Sequence, residues 1–137
     1  MTATNTAVPS VTTKTGSLTG TGVAAAVLAS GATSAVAAAG HAAGISLDVW
    51  GEPIAILGFA VLTAWFSLVG LALAAVLSRT ARRPRSTFIR TTVVLTVLSL
   101  VPDVIVDAAP VTKALLMLTH VVAAAIVIPA VARRLPA

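Results

Sequence analysis

Two carboxylates, an ammonium and an imidazole lie close together in the last third of the chain. They are Asp103, Asp107, Lys113 and His120, with Ser99 and Pro102 just upstream. A carboxylate beside an imidazole can share or relay a proton near neutral pH. Asp103 and Asp107 are four residues apart, so on one helix they share a face. Lys113 and His120, seven apart, share a face of the next. If the two segments pack antiparallel around Ala109 and Pro110, residues whose numbers sum to about 220 lie at one depth. Asp107 is then level with Lys113, and Asp103 with Met117. His120 is level with Leu100 and close to Ser99. The expected contacts are an Asp107–Lys113 ion pair and an Asp103–His120 contact, direct or through water. Pro102 removes one backbone hydrogen bond and frees the Leu98 carbonyl, opening a polar spot beside Asp103.

This cluster supports two readings. One is a proton relay or small-ligand site. The other is a polar lock between two helices, favoured because no further carboxylate lies deeper towards the opposite end. The remaining chemistry is sparse. No GxSxG, P-loop, HExxH, GxGxxG or DxDxDG pattern occurs, so no catalytic residue is assigned. The chain has no cysteine, which excludes disulfides, thiolate metal sites and CxxC redox chemistry. His41 near Asp48 and Glu52 lacks metal-ligand spacing. No metal and no cofactor are expected.

The elements that must position these residues follow from composition. Of 137 residues, 58% are hydrophobic and only 9% charged. An ordinary soluble domain has about 25% charged residues. That balance excludes a soluble enzyme, and in this setting the net charge of +5 fits membrane-flanking basic residues better than a nucleic-acid surface. Residues 1–21 are rich in Thr, Ser and Gly and are expected to be a disordered cytoplasmic tail. Four apolar segments then run over 22–44, 53–77, 88–108 and 111–132, with 135–137 as a short tail. Each is apolar on all faces and reaches the roughly 20 residues that cross a bilayer as a helix. Short connections make sequential helices antiparallel neighbours. The fold class is all-α, an integral membrane bundle of four antiparallel transmembrane helices across 22–134.

Orientation comes from the basic residues. Arg79, Arg82, Arg83, Arg85 and Arg90 flank the second connection. Arg133 and Arg134 follow the last helix, Lys14 precedes the first, and Lys113 alone lies at the other end. The positive-inside rule places the arginine end in the cytoplasm, with both termini inside. Alanine-rich A-x-A sequences at Ala35–Ala37 and Ala37–Ala39 offer an alternative in which the first helix is a cleaved signal. Small residues at Gly22, Ala26, Ser30, Ser34 and Ala38 make a ladder suited to close helix packing or a homodimer face. Trp50 is expected at the outer interface and Phe88 at the inner one, with Trp65 and Phe66 packing or facing lipid.

The arginine loop, FIRTTVVLTVLSLVPD and ALLMLTHVVAAAIVIPAVARRL resemble the domain-of-unknown-function family 6069 of small four-helix actinobacterial membrane proteins. The resemblance rests on Leu98-Ser99, Pro102 and His120, and is strongest over the third and fourth helices. It implies four spans and no assigned activity.

The expected function is a non-enzymatic structural or interaction subunit of a bacterial plasma membrane. Its partners would be the bilayer and a second copy or another membrane protein. The alternative is a small proton-coupled transporter or ligand-binding protein using Asp103 and His120. The cysteine-free chain makes its topology directly testable by single-cysteine labelling. Cysteines at Asp48 and Ala109 should react with an impermeant maleimide added to intact cells, and one at Ser86 should not. The reverse pattern would invert the assigned orientation.

Overall fold

The structure, a computed structural model, describes residues 17–137. Most of the expected polar tail lies outside the described residues, as does Lys14. The rest is four helices: α1 (Leu18–Ala42), α2 (Ile56–Thr80), α3 (Pro84–Ile105) and α4 (Pro110–Ala132). All four are long and apolar enough to cross a membrane. The chain is therefore an integral membrane bundle. Within it α1 packs against α2 and α4, and α3 closes the ring against α4 and, less extensively, α2.

Local chemistry explains where the helices begin and end. α1 starts at Leu18, not Gly22, because the Ser17 hydroxyl accepts a 3.0 Å bond from the Gly20 N–H and caps the helix. It ends at Ala42 in a Schellman arrangement. Gly44 sits at φ +85, its N–H reaches the His41 carbonyl, and the Ile45 N–H reaches the Gly40 carbonyl. α3 and α4 each begin on a proline in the first turn, where the missing N–H costs no bond. That moves the start of α3 from the expected Phe88 back to Pro84. Leu135 is not part of a free tail; it is buried, and the Pro136 carbonyl accepts a bond from the Arg85 N–H at 3.2 Å.

The connection between α1 and α2 is more than a loop. Asp48–Val49 (β1) and Glu52–Pro53 (β2) form an antiparallel hairpin with Asp48 opposite Pro53 and Val49 opposite Glu52. Its two turn residues, Trp50 and Gly51, both have positive φ, which a type I′ turn requires. The hairpin is pinned across the end of the bundle. The Trp50 N–H donates to the Asp107 carbonyl at 2.9 Å, and the Thr112 hydroxyl donates to the Ser46 carbonyl at 2.6 Å. Leu47 is buried beneath it with Ala37, Phe59, Val106, Leu115 and Leu116. A second apolar cluster at the arginine end gathers Ala29, Ala74, Phe88, Val127, Val131, Ala132 and Leu135. Phe88 is thus a fully buried core residue and not an interfacial anchor. Trp65 and Phe66 face outwards from the bundle, as lipid-facing side chains do.

The buried stripe of α1 is made of small residues: Gly22, Ala25, Ala26, Ala29, Thr33, Ala37 and Gly40. The strict every-fourth ladder drifts off this stripe after Ala26, because 3.6 residues per turn demands alternating steps of three and four. Ser30, Ser34 and Ala38 are accordingly only half-buried. Two glycines set the closest approaches. A Cβ at Gly22 would collide with the Leu71 side chain of α2, and one at Gly40 would come within 2.6 Å of Leu115 Cδ2 on α4. Gly31 meets open space. Leu115 is buried in the core, whereas Leu71 is half-exposed and can move aside. Gly40→Ala should therefore destabilise the bundle by about 1–3 kcal/mol through overpacking. Gly22→Ala should cost less, and Gly31→Ala should stabilise by about 0.5–1 kcal/mol through helix propensity. Thermal unfolding in detergent would check the ranking.

Candidate functional site

Four polar residues of α3 lie on one stripe. Thr92, Thr96, Ser99 and Asp103 step by four, three and four residues, which keeps them on a single helix face. Three of them bond back to their own helix. The Thr92 hydroxyl donates to the Phe88 carbonyl at 2.7 Å, Thr96 to Thr92 at 2.8 Å, and Ser99 to Thr96 at 2.7 Å. On α4 the Thr119 hydroxyl does the same to Leu116 at 2.7 Å. Such back-bonding satisfies a hydroxyl where water is absent.

Asp103 is the exception. It is only 8% exposed, and its neighbour across the interface is His120. His120 Nδ1 lies 3.0 Å from Asp103 Oδ2 and 3.1 Å from the Leu116 carbonyl oxygen. One ring nitrogen thus faces two oxygens. A hydrogen on Nδ1 is aligned with the carbonyl, so Oδ2 is buried with no aligned donor of its own. A bare Nδ1 would instead accept a hydrogen from a protonated Asp103. Which ring nitrogen carries the hydrogen therefore decides whether Nδ1 donates to the carbonyl or accepts from the carboxyl. Among the described residues this is the only ion-pair contact.

The other expected site residues separate from it. Ser99 gives its hydrogen to Thr96 and makes no hydrogen bond to His120. Pro102 sits inside α3 and is exposed; the helix continues past it to Ile105. The Asp107–Lys113 ion pair does not form. α3 ends at Ile105, and Val106 turns to φ −59, ψ 147 so that its side chain can enter the core beside Leu47. Asp107 is carried onto an exposed bend, off the face it was expected to share with Asp103, where its carbonyl holds the hairpin. Lys113 takes a different acceptor: its Nζ donates to the Val104 carbonyl at 3.0 Å. A cation at a helix C-terminus satisfies an orphan carbonyl and opposes the dipole there.

The family model described as a family of unknown function, DUF6069, matches residues 13–137. The chain belongs to this family. No curated protein and no solved structure matches it.

Several contacts of this DUF6069 chain escape a reading of the sequence. The Thr33 and Thr63 hydroxyls meet at 2.9 Å across the α1–α2 interface, with Thr33 fully buried. Their positions, thirty residues apart, carry no spacing signal. The Thr112 bond to the hairpin is equally non-local. Ser34 Oγ is buried without a partner, and nothing in the structure explains it. His41, Asp48 and Glu52 are exposed, and no group of three His, Asp or Glu gathers among the described residues.

The two carbonyl-bound positions give opposite expectations for neighbouring charges. Lys113→Met removes the donor to Val104 and should cost about 0.5–1.5 kcal/mol. Asp107→Asn keeps the backbone bond to Trp50 and should stay within about 0.5 kcal/mol of the parent. Equal losses in the two variants, read by thermal unfolding, would restore the ion pair.

Proposed function

We propose that this DUF6069 chain is a non-enzymatic membrane subunit that acts through packing and surface contact, with the Asp103–His120 pair locking α3 to α4. One observation carries the reading. Of the polar side chains on α3 and α4, those of Thr92, Thr96, Ser99, Thr112, Lys113 and Thr119 are bonded to carbonyls of the bundle itself, and Asp103 Oδ2 is the exception. A translocation path needs polar groups that can exchange partners with a passing ion or ligand. Groups that already hold short bonds to their own backbone support rigidity instead. The same reading places the arginine end in the cytoplasm of a bacterial plasma membrane, on the positive-inside rule.

The second reading, a proton-coupled carrier, is favoured by one feature: the unmatched Asp103 Oδ2 beside a titratable ring. The two readings part in one experiment. Replacing both partners by apolar residues removes the contact without stranding a charge, so Asp103→Leu with His120→Leu should be near neutral for stability. In liposomes carrying a pH-sensitive dye, parent, double variant and empty vesicles should dissipate a proton gradient at the same rate. Gradient-driven flux in the parent that the double variant loses, at equal incorporation, would overturn the structural reading in favour of the carrier.

A further inference from the structure

An open cleft of about 360 Å³ lies between the first turns of α3 and the last turns of α4. Its lining is Arg85, Ile89, Ile128, Pro129, Ala132 and Arg133. The arrangement is vertical. Arg85 stands four residues before Ile89 on α3, and Arg133, the residue that caps α4, four residues after Pro129, so each arginine lies one turn nearer the bundle end than an apolar neighbour. Cations rim the cleft and aliphatic side chains floor it. Both arginines are exposed and neither has a carboxylate partner among the described residues. All four acids, Asp48, Glu52, Asp103 and Asp107, belong to the hairpin end of the bundle.

We propose that this cleft binds an anionic phospholipid, with the phosphate between Arg85 and Arg133 and an acyl chain along Ile89, Ile128 and Pro129. The guanidinium fork matches phosphate oxygens in pairs, and it is less strongly hydrated than an ammonium. Basic pockets between transmembrane helices select anionic headgroups for this reason. The apolar floor distinguishes a lipid from a free anion, which would have no use for Ile89 or Ile128. The site is separate from the Asp103–His120 contact and stands whether that pair is a lock or a relay.

The test uses the full chain in mild detergent. It is titrated with phosphatidylglycerol or phosphatidylcholine in mixed micelles and read by thermal shift and by native mass spectrometry of retained lipid. Phosphatidylglycerol should bind and stabilise, and phosphatidylcholine should do so far less. Arg85→Gln with Arg133→Gln should weaken phosphatidylglycerol binding about tenfold or more. Arg82→Gln with Arg134→Gln changes the charge equally outside the cleft and should keep most of the affinity. Ile128→Trp leaves both arginines and fills the floor, and should also weaken binding. Equal loss in the two arginine pairs would overturn the site in favour of diffuse surface charge. Unchanged binding by Ile128→Trp, no preference between the two lipids, or displacement of lipid by millimolar inorganic phosphate would each overturn it as well.

Discussion

Hydrocarbon offers no water to a peptide group, so each N–H and C=O at depth must find its partner inside the protein. Nearly everything in this bundle follows from that demand. The spans are helices because helices bond their own backbones. The hydroxyls of Thr92, Thr96, Ser99 and Thr119 fold back onto carbonyls of the same helix because no solvent competes for them. At α3's exit the Val104 carbonyl is taken by Lys113. Ends and defects are met by caps: Ser17 at the start of α1, Gly44 at its end, prolines in the first turns of α3 and α4. Against that background a buried carboxylate oxygen without an aligned donor stands out, and the Asp103–His120 contact draws attention as an exception to the rule its surroundings keep.

The same solvent removes the usual force for helix association. Lipid tails are as apolar as leucine, so burying α1 against α2 and α4 yields little hydrophobic gain. Close approach must supply dispersion contacts instead, and that is why the buried stripe of α1 is glycine and alanine with one threonine, and not leucine. Leu71 and Leu115 come from the neighbours and rest on the bare backbone at Gly22 and Gly40. Thr33 and Thr63 add a hydroxyl bond between these closely packed helices. Over its most apolar stretch α1 has the lowest hydropathy of the four spans and is the most enclosed, and both properties have one cause: small residues lower its hydropathy and let its neighbours close around it.

The number of helices, their membrane character and the Asp103–His120 pairing were legible in the chain. Composition and segment length decide the first two, and the short turn near Pro110 constrains the third. Helix ends were less legible, because they depend on single bonds such as Ser17 to Gly20 that composition does not report. Asp107 shows the limit most plainly. Its spacing from Asp103 is correct for a shared helix face, but the face ends at Ile105, where burying Val106 under the hairpin outweighs continuing the helix. The hairpin itself was hidden. Its turn is Trp50-Gly51, and an exposed tryptophan at φ +53 is not a residue that turn chemistry leads one to expect there. The lysine cap required knowing that a carbonyl, not a carboxylate, lay within its reach.

The two ends of the bundle differ in a way that bears on where the molecule can meet others. At the hairpin end, backbone bonds from Trp50 and Thr112 tie the α1–α2 connection onto the α3–α4 turn, and Leu47 and Val106 plug the space beneath. At the arginine end, α2 and α3 are joined by a short stretch and share less surface than the other adjacent pairs. Leu135 and Phe88 fill the centre there, but Arg85 and Arg133 are left at the rim of an open cleft. Like charges crowded at one end of a bundle repel, and this repulsion falls off only over a Debye length of about 8–10 Å in the aqueous phase. Counter-anions would relieve it, and in a bilayer the anions held at that depth are headgroups. The sealed end is therefore where this protein is completed by its own chain, and the open end is where the membrane completes it.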